Sequence, residues 1–340
     1  MHAHPFKRRA LAALPAASAF LVAVAMVLAA ELSGEREIIF PEAAAIAAGA
    51  LLSPRLAWRA DKPRILFSIG VCASAGVLIV QWANIPLGWQ LALAFAVGQA
   101  VFLFSGTTFA PLISAVALPV LLGTRSLVYP LSAIALTALV LLLRTALERA
   151  GLRAKEPFRP LAPRGDAFAL AAVRILFAGV LCLAAVDAGA RFIVCPPLLV
   201  AFTEFSRPGS RPMAHPLRAV LLLAACAAAG SLCRLLLCVA AGLPLTLAAA
   251  AAALSVGALF ALSRTILPPA AALALLAMLI PAEELALYPF AISAGAALFA
   301  AFSLLLPGVP STRRAFMRER LSAVRPGRET RQGVPAREGR

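Results

Sequence analysis

Apolar runs broken by short polar stretches recur along nearly the whole chain. They fall at Leu11–Ala30, Ile38–Leu52, Ile65–Gln81, Gly88–Phe104, Phe109–Leu122 and Leu127–Leu143, then, past a polar gap, at Ala167–Val186, Phe192–Phe205, Ala219–Ala241, Pro244–Leu262, Ile266–Ile280 and Ala286–Leu306. A helix needs about 20 apolar residues to cross a hydrocarbon core of about 30 Å. The pattern therefore predicts an all-α polytopic integral membrane protein of about 12 transmembrane helices. The first run follows Lys7, Arg8 and Arg9 as a signal peptide would. It is longer than the roughly 7–15 residues of a signal-peptide core, so it reads as a first spanning helix.

Two of the runs are short and open on proline: Thr107-Thr108-Phe109-Ala110-Pro111, leading on to Tyr129-Pro130, and Thr265-Ile266-Leu267-Pro268-Pro269, leading on to Tyr288-Pro289. Proline is tolerated in the first turn of a helix because its missing N–H has no partner inside the helix there. Paired short, proline-interrupted segments at matching positions of two halves point to a transporter's substrate site. Other anchors keep the same order: Pro41 with Pro196, Pro63 with Pro216, Thr108 with Thr265, and Pro111 with Pro268. Proline and tyrosine are scarce enough in this alanine- and leucine-rich chain for the order to carry weight. The expected organisation is a first six-helix membrane repeat over 1–143, a basic cytoplasmic linker over 144–166, a second repeat over 167–306 and a disordered basic tail over 307–340. Both repeats come out in the same orientation, and the two proline-broken helices are expected to face each other at mid-bilayer.

Charge fixes the expected orientation. With both termini cytoplasmic, the cytoplasmic segments collect three, four, six, three, one and nine of the 31 Lys/Arg, leaving Arg36, Arg125 and Arg191 outside and Arg174 and Arg234 within spans. That distribution obeys the positive-inside rule. The alanine- and arginine-rich composition suggests a bacterial cytoplasmic membrane. A net charge of +16 would suggest nucleic acid in a soluble protein; in a chain 62% hydrophobic the anionic partner is instead lipid headgroup, and no nucleic-acid partner is expected. None of the six cysteines forms a CxxC or zinc-spaced pattern, so no metal site and no cofactor are expected. Nucleotide-binding signatures are absent, and no paired-Asp, His/Glu or Ser-His arrangement suggests an enzyme.

The stretch Thr265 to Ala272 resembles the THPPAGA motif of the HPP family of integral membrane proteins, with Leu267 where that family's histidine stands and Ala271 where its glycine stands. The apolar helix and proline-containing loop from Pro197 to Pro216 are similar to the family's as well. The resemblance covers about 110 residues of the second half; the first half keeps only Thr108 and Pro111 of the motif. Plant and cyanobacterial members are associated with nitrite transport, so the resemblance implies a small-anion permease. A looser resemblance is to fusaric-acid-resistance-type exporter membrane domains.

Charges inside a span are costly, about 2.5–3.5 kcal/mol at its centre, and each needs a reason. Arg234 reads either as an anion-binding group facing a cavity or as a long side chain snorkelling to the outer interface; Arg174 poses the same choice on the cytoplasmic side. Glu42 either favours its helix N-terminus or serves proton coupling, alone or paired with Arg234. Thr108 and Thr265 either cap the short helices or, with Pro111, Pro268 and Pro269, cradle an anion at those ends. The expected function is a secondary transporter of a small anion. The alternative is a non-transporting membrane subunit or scaffold whose basic loops and tail bind a partner or anionic lipid.

Overall fold

The computed structural model describes residues 5–155, 157–162 and 165–306, with side chains from residue 13 onward. The tail 307–340, expected to be disordered, lies outside the described residues. Those residues form helices and no strand. Eight helices are long and apolar enough to cross a membrane: α1 (Pro5–Ser33), α3 (Lys62–Trp82), α4 (Leu87–Phe104), α6 (Val128–Arg149), α7 (Gly165–Asp187), α9 (Pro216–Arg234), α10 (Leu245–Ser263) and α12 (Tyr288–Leu305). The other four segments expected to span are short: α2 (Glu42–Ala47, continued by a π turn over Ala48–Leu52), α5 (Leu112–Leu122), α8 (Pro196–Phe205) and α11 (Pro268–Leu276). At 1.5 Å per residue each is only about 14–17 Å long.

Burial separates the two sets. The long helices expose leucine, valine and phenylalanine on their outer faces, as membrane helices do. The short ones are apolar on most of every face and bury every side chain, Glu42, Ser114 and Thr203 included, except the last of α5 and Glu204 of α8. A helix hydrophobic on all sides must be wrapped by others. The core is therefore four short helices inside eight long ones.

Residues 5–149 and 165–306 pack alike. In each half the third helix lies along the fifth and sixth: α3 on α5 and α6, α9 on α11 and α12. Gly76 and Gly230 permit the closest of these approaches, because a Cβ on either would collide with a backbone carbonyl, that of Val116 or of Ala274. The Tyr129 hydroxyl donates to the Ala115 carbonyl at 3.0 Å and that of Tyr288 to the Leu273 carbonyl at 2.8 Å, pinning the sixth helix to the fifth. α4 and α10 both follow a proline, Pro86 and Pro244; α10 is closed by Arg264 at positive φ, and α4 by Ser105, with the positive-φ Gly106 next in the chain.

Across the halves the partners are exchanged. α1 packs on α10 and α7 on α4, while α2 packs on α11 and α8 on α5, with α8 touching α11 as well. This corrects one expectation: α5 and α11 do not pair with each other, and each takes as its partner the other half's first short helix. It also moves a boundary, since Arg144–Arg149 belong to α6 rather than to the linker.

Substituting Gly76→Ala or Gly230→Ala forces a methyl into a rigid backbone and should cost about 1–3 kcal/mol, read as a lower melting temperature in detergent. Gly257→Ala, where nothing lies within 4 Å of the added carbon, should leave it unchanged.

Candidate functional site

All four short helices begin with proline: Phe40-Pro41-Glu42, Ala110-Pro111-Leu112, Cys195-Pro196-Pro197 and Leu267-Pro268-Pro269. In an interior without water, an unpaired N–H is expensive. Proline removes it, and the next N–H groups fold back onto the preceding chain: Ala43 to Phe40, Ile113 to Ala110, Leu198 to Cys195 and Ala270 to Leu267. The starting ends of α2 and α5 meet, for the Ser114 hydroxyl donates to Oε1 of Glu42. Glu42 is 1% exposed, and its Oε2 has no hydrogen-bond partner among the described residues. The carboxyl also lies within electrostatic reach of the Tyr129 and Tyr288 hydroxyls and the Cys195 thiol. These groups come from α2, α5, α6, α12 and the lead into α8, so Glu42 sits where both halves converge.

The finishing ends are closed mostly by guanidinium groups. Arg144, 1% exposed in α6, donates from Nη1 to the carbonyls of Ala50 (2.6 Å) and Ser53 (3.2 Å) and from Nη2 to that of Ala154 (2.6 Å). Arg153 adds bonds to the carbonyls of Leu51 and Leu52, so the last carbonyls of α2 and its π turn are covered. Burial, with the charge of Arg144 beside it, lowers the pKa of Arg153. Arg174 holds the end of α8 through Ser206 Oγ (2.7 Å) and the Thr203 carbonyl (3.2 Å). Arg234 donates to the carbonyls of Ala277 (2.6 Å) and Ile280 beyond α11. α5 instead closes on Gly123, with φ 69°, while Gln81 donates to the nearby Arg125 carbonyl at 2.7 Å. A cation at a helix C-terminus also complements the dipole.

Several readings from sequence change accordingly. Arg234 is 8% exposed and does not snorkel to an interface, and it bonds α11's trailing carbonyls rather than Glu42. Neither threonine caps its short helix. Thr108 forms a two-bond bridge with the Arg59 backbone, and Thr265 donates to the Ser263 carbonyl at 3.1 Å. Pro268 and Pro269 take away two of α11's first N–H groups, which leaves that end poor in donors for an anion. Glu204 accepts from the Trp58 indole at 2.9 Å, and the Trp58 ring lies flat against Gly49 and edge-on to Phe109.

Three cavities adjoin these elements. One of about 690 Å³ lies between α4 and α7 and brings Thr108 and Arg174 together with Gln99, Thr107 and Arg207. A second, of about 320 Å³ between α1, α2, α10 and α11, is lined by apolar residues. The third, about 600 Å³, lies at the basic end of the bundle among Trp58, Lys62, Arg144, Lys155 and Arg159. Sequence reasoning missed Ser114, Gln99 and Arg144; only Arg144, a charge at the rim of an apolar run, left a signal. No group of three metal-ligating side chains occurs among the described residues. No family model, curated protein or solved structure matches the chain.

Arg144→Ala should orphan the carbonyls of Ala50, Ser53 and Ala154 and leave Glu148 to Lys62, at a cost of about 3 kcal/mol or more. Arg144→Lys should recover less than half of that, because one ammonium cannot span carbonyls that the guanidinium fork reaches from two nitrogens. Thermal unfolding in detergent measures both.

Proposed function

We propose that the chain is a secondary transporter of a small anion, built from two copies of a six-helix unit in the same orientation, with the basic end facing the cytoplasm and Glu42 as its proton-coupling group. The chain passes the membrane twelve times on this reading, eight times as long helices and four times as short helices completed by non-helical stretches. Irregular backbone at membrane depth is tolerated where it is buried in protein, and short helices broken at mid-depth are how many transporters build a site.

One observation carries the reading: a carboxyl buried where α2 and α5 meet, held on one oxygen by Ser114 and unpartnered on the other. No cation pairs with it among the described residues, so packing alone gives no reason for a charge there. Intramembrane carboxyls of this kind mark proton relays. Taking up a proton together with an anion would move both without adding net charge to the crossing. The anionic class rests on the resemblance to HPP proteins. The alternative of a lipid- or partner-binding scaffold draws on the cationic cavity at the basic end.

In proteoliposomes under an inward proton gradient, labelled nitrite, formate, acetate and lactate serve as the panel. Glu42→Gln should cut proton-driven accumulation of the transported anion at least about tenfold while sparing exchange down its own gradient. Equal accumulation by wild type and variant would remove Glu42 from the mechanism. Deleting Pro310–Arg340 should leave transport intact in a self-contained permease and abolish function in a scaffold.

A further inference from the structure

The two interfaces that join the halves, α4 with α7 and α1 with α10, are built on one frame but filled differently. Setting Pro86 against Pro244 and Pro41 against Pro196 places Gln99 opposite Gly257, Phe102 opposite Phe260, Arg174 opposite Ala19 and Thr203 opposite Ala48. Both cavities lie at these matched positions: Gln99, Phe102 and Arg174 line one, and Gly257, Phe260 and Ala19 the other. The frame therefore closes with small apolar residues in one interface, so packing does not require the polar groups in the other.

Those polar groups leave hydrogen-bonding capacity unused. Gln99 is 1% exposed; its Nε2 donates to Thr203 Oγ1 at 2.7 Å, and its Oε1 has no partner among the described residues. Arg174 bonds the Thr203 carbonyl, so its guanidinium and the Gln99 amide approach the same residue from two helices. Its Nη1 makes no hydrogen bond among the described residues. Arg207 lies within electrostatic reach of Arg174, which brings two like charges to one cavity. The carboxylate at the rim is the exposed Asp166, while Glu204 near Arg207 is taken by the Trp58 indole. Phe102, Leu103, Leu170 and Val173 supply an apolar wall.

From this geometry we infer that the α4/α7 cavity is a binding site for an oxyanion that carries its own hydroxyl, the oxyanion on Arg174 and Arg207 and the hydroxyl donating to Gln99 Oε1. Two sources present that chemistry: a soluble 2-hydroxycarboxylate, and the phosphate and glycerol hydroxyls of a phosphatidylglycerol headgroup. The site is separate from the Glu42 crossing and does not depend on the chain being a transporter.

Binding to the purified full-length chain tests it without any transport assay. Lactate and propionate, which differ by one hydroxyl, are titrated calorimetrically, and retention of phosphatidylglycerol against phosphatidylcholine is read by native mass spectrometry. Arg174 closes α8, so the variants used are Arg207→Ala and Gln99→Leu, with the exposed loop residue Arg211→Ala as control. A soluble ligand predicts lactate preferred over propionate by about tenfold, the preference lost in Gln99→Leu and affinity lowered about tenfold in Arg207→Ala. A lipid ligand predicts phosphatidylglycerol retained by wild type and Arg211→Ala but lost from both cavity variants. If wild type and the cavity variants treat lactate and phosphatidylglycerol alike, the inference is overturned.

Discussion

The constraint on which this structure depends is the need to finish a helix inside a protein that has no water to offer. Four helices start and stop within the bundle, and each stop exposes carbonyls that would cost several kcal/mol apiece if left bare in hydrocarbon. Proline deals with the starts by deleting donors. Guanidinium groups deal with three of the four finishes, since one planar fork reaches several carbonyls at once and its charge opposes the negative end of the helix. Arg144, Arg174 and Arg234 look anomalous in apolar surroundings only until the helix ends beneath them are seen. Their charge goes with the broken helices: Arg174 and Arg234 pair with no carboxylate among the described residues, and Arg144 holds Glu148 on Nε besides its carbonyls.

Against this shared scaffolding, the departures from symmetry are informative. Glu42 stands where the second half has Pro197, and Ser114 where it has Ala271. Gln99 and Thr203 stand where the other interface has Gly257 and Ala48. The polar member of each pair is absent from a half whose helices pack on the corresponding partners. The frame, then, consists of prolines, close-approach glycines and tyrosine hydroxyls on carbonyls, and these polar groups are not part of it. Glu42 Oε2 and Gln99 Oε1 each add desolvation cost and make no bond among the described residues.

Much of the frame was legible in the sequence because its markers are rare residues. Pro41, Pro111, Pro196, Pro268, Tyr129 and Tyr288 stood out from alanine and leucine, and each lies at a helix start. Helix positions followed the apolar runs to within a few residues, except that Arg144 read as linker when α6 carries it inward. The role of the short helices was not legible. An apolar run of about 10 residues looks the same whether it faces lipid or protein, and nothing local tells that α5 packs on α8 rather than α11. Arg234 and Thr265 stood out as candidates, yet their partners lie far along the chain or in backbone geometry that composition does not record. Ser114 and Gln99 gave no warning at all, being single polar residues in apolar helices.

Hydrogen bonding also divides the molecule into two bodies. Nearly every side-chain bond among the described residues stays within residues 5–162 or within 165–306. The crossings are few: Glu31 on the Leu245 and Thr246 amides and the Thr246 hydroxyl at one end, Trp58 on Glu204 at the other, and Gln99 on Thr203 between them. Each short helix has its trailing end closed by its own half, while its apolar face lies against the other half. Apolar helix faces can slide past one another without breaking hydrogen bonds, whereas an end capped by arginine cannot detach without exposing carbonyls. Sliding along the α2/α11 contact therefore breaks no side-chain hydrogen bond among the described residues, whereas α8 is tied to the first half by Gln99 on Thr203 and Trp58 on Glu204. Glu42, on α2 with Ser114 of its own half, lies on the helix that makes this contact. On the transporter reading proposed above, a proton gained or lost there would change the charge buried between the two halves.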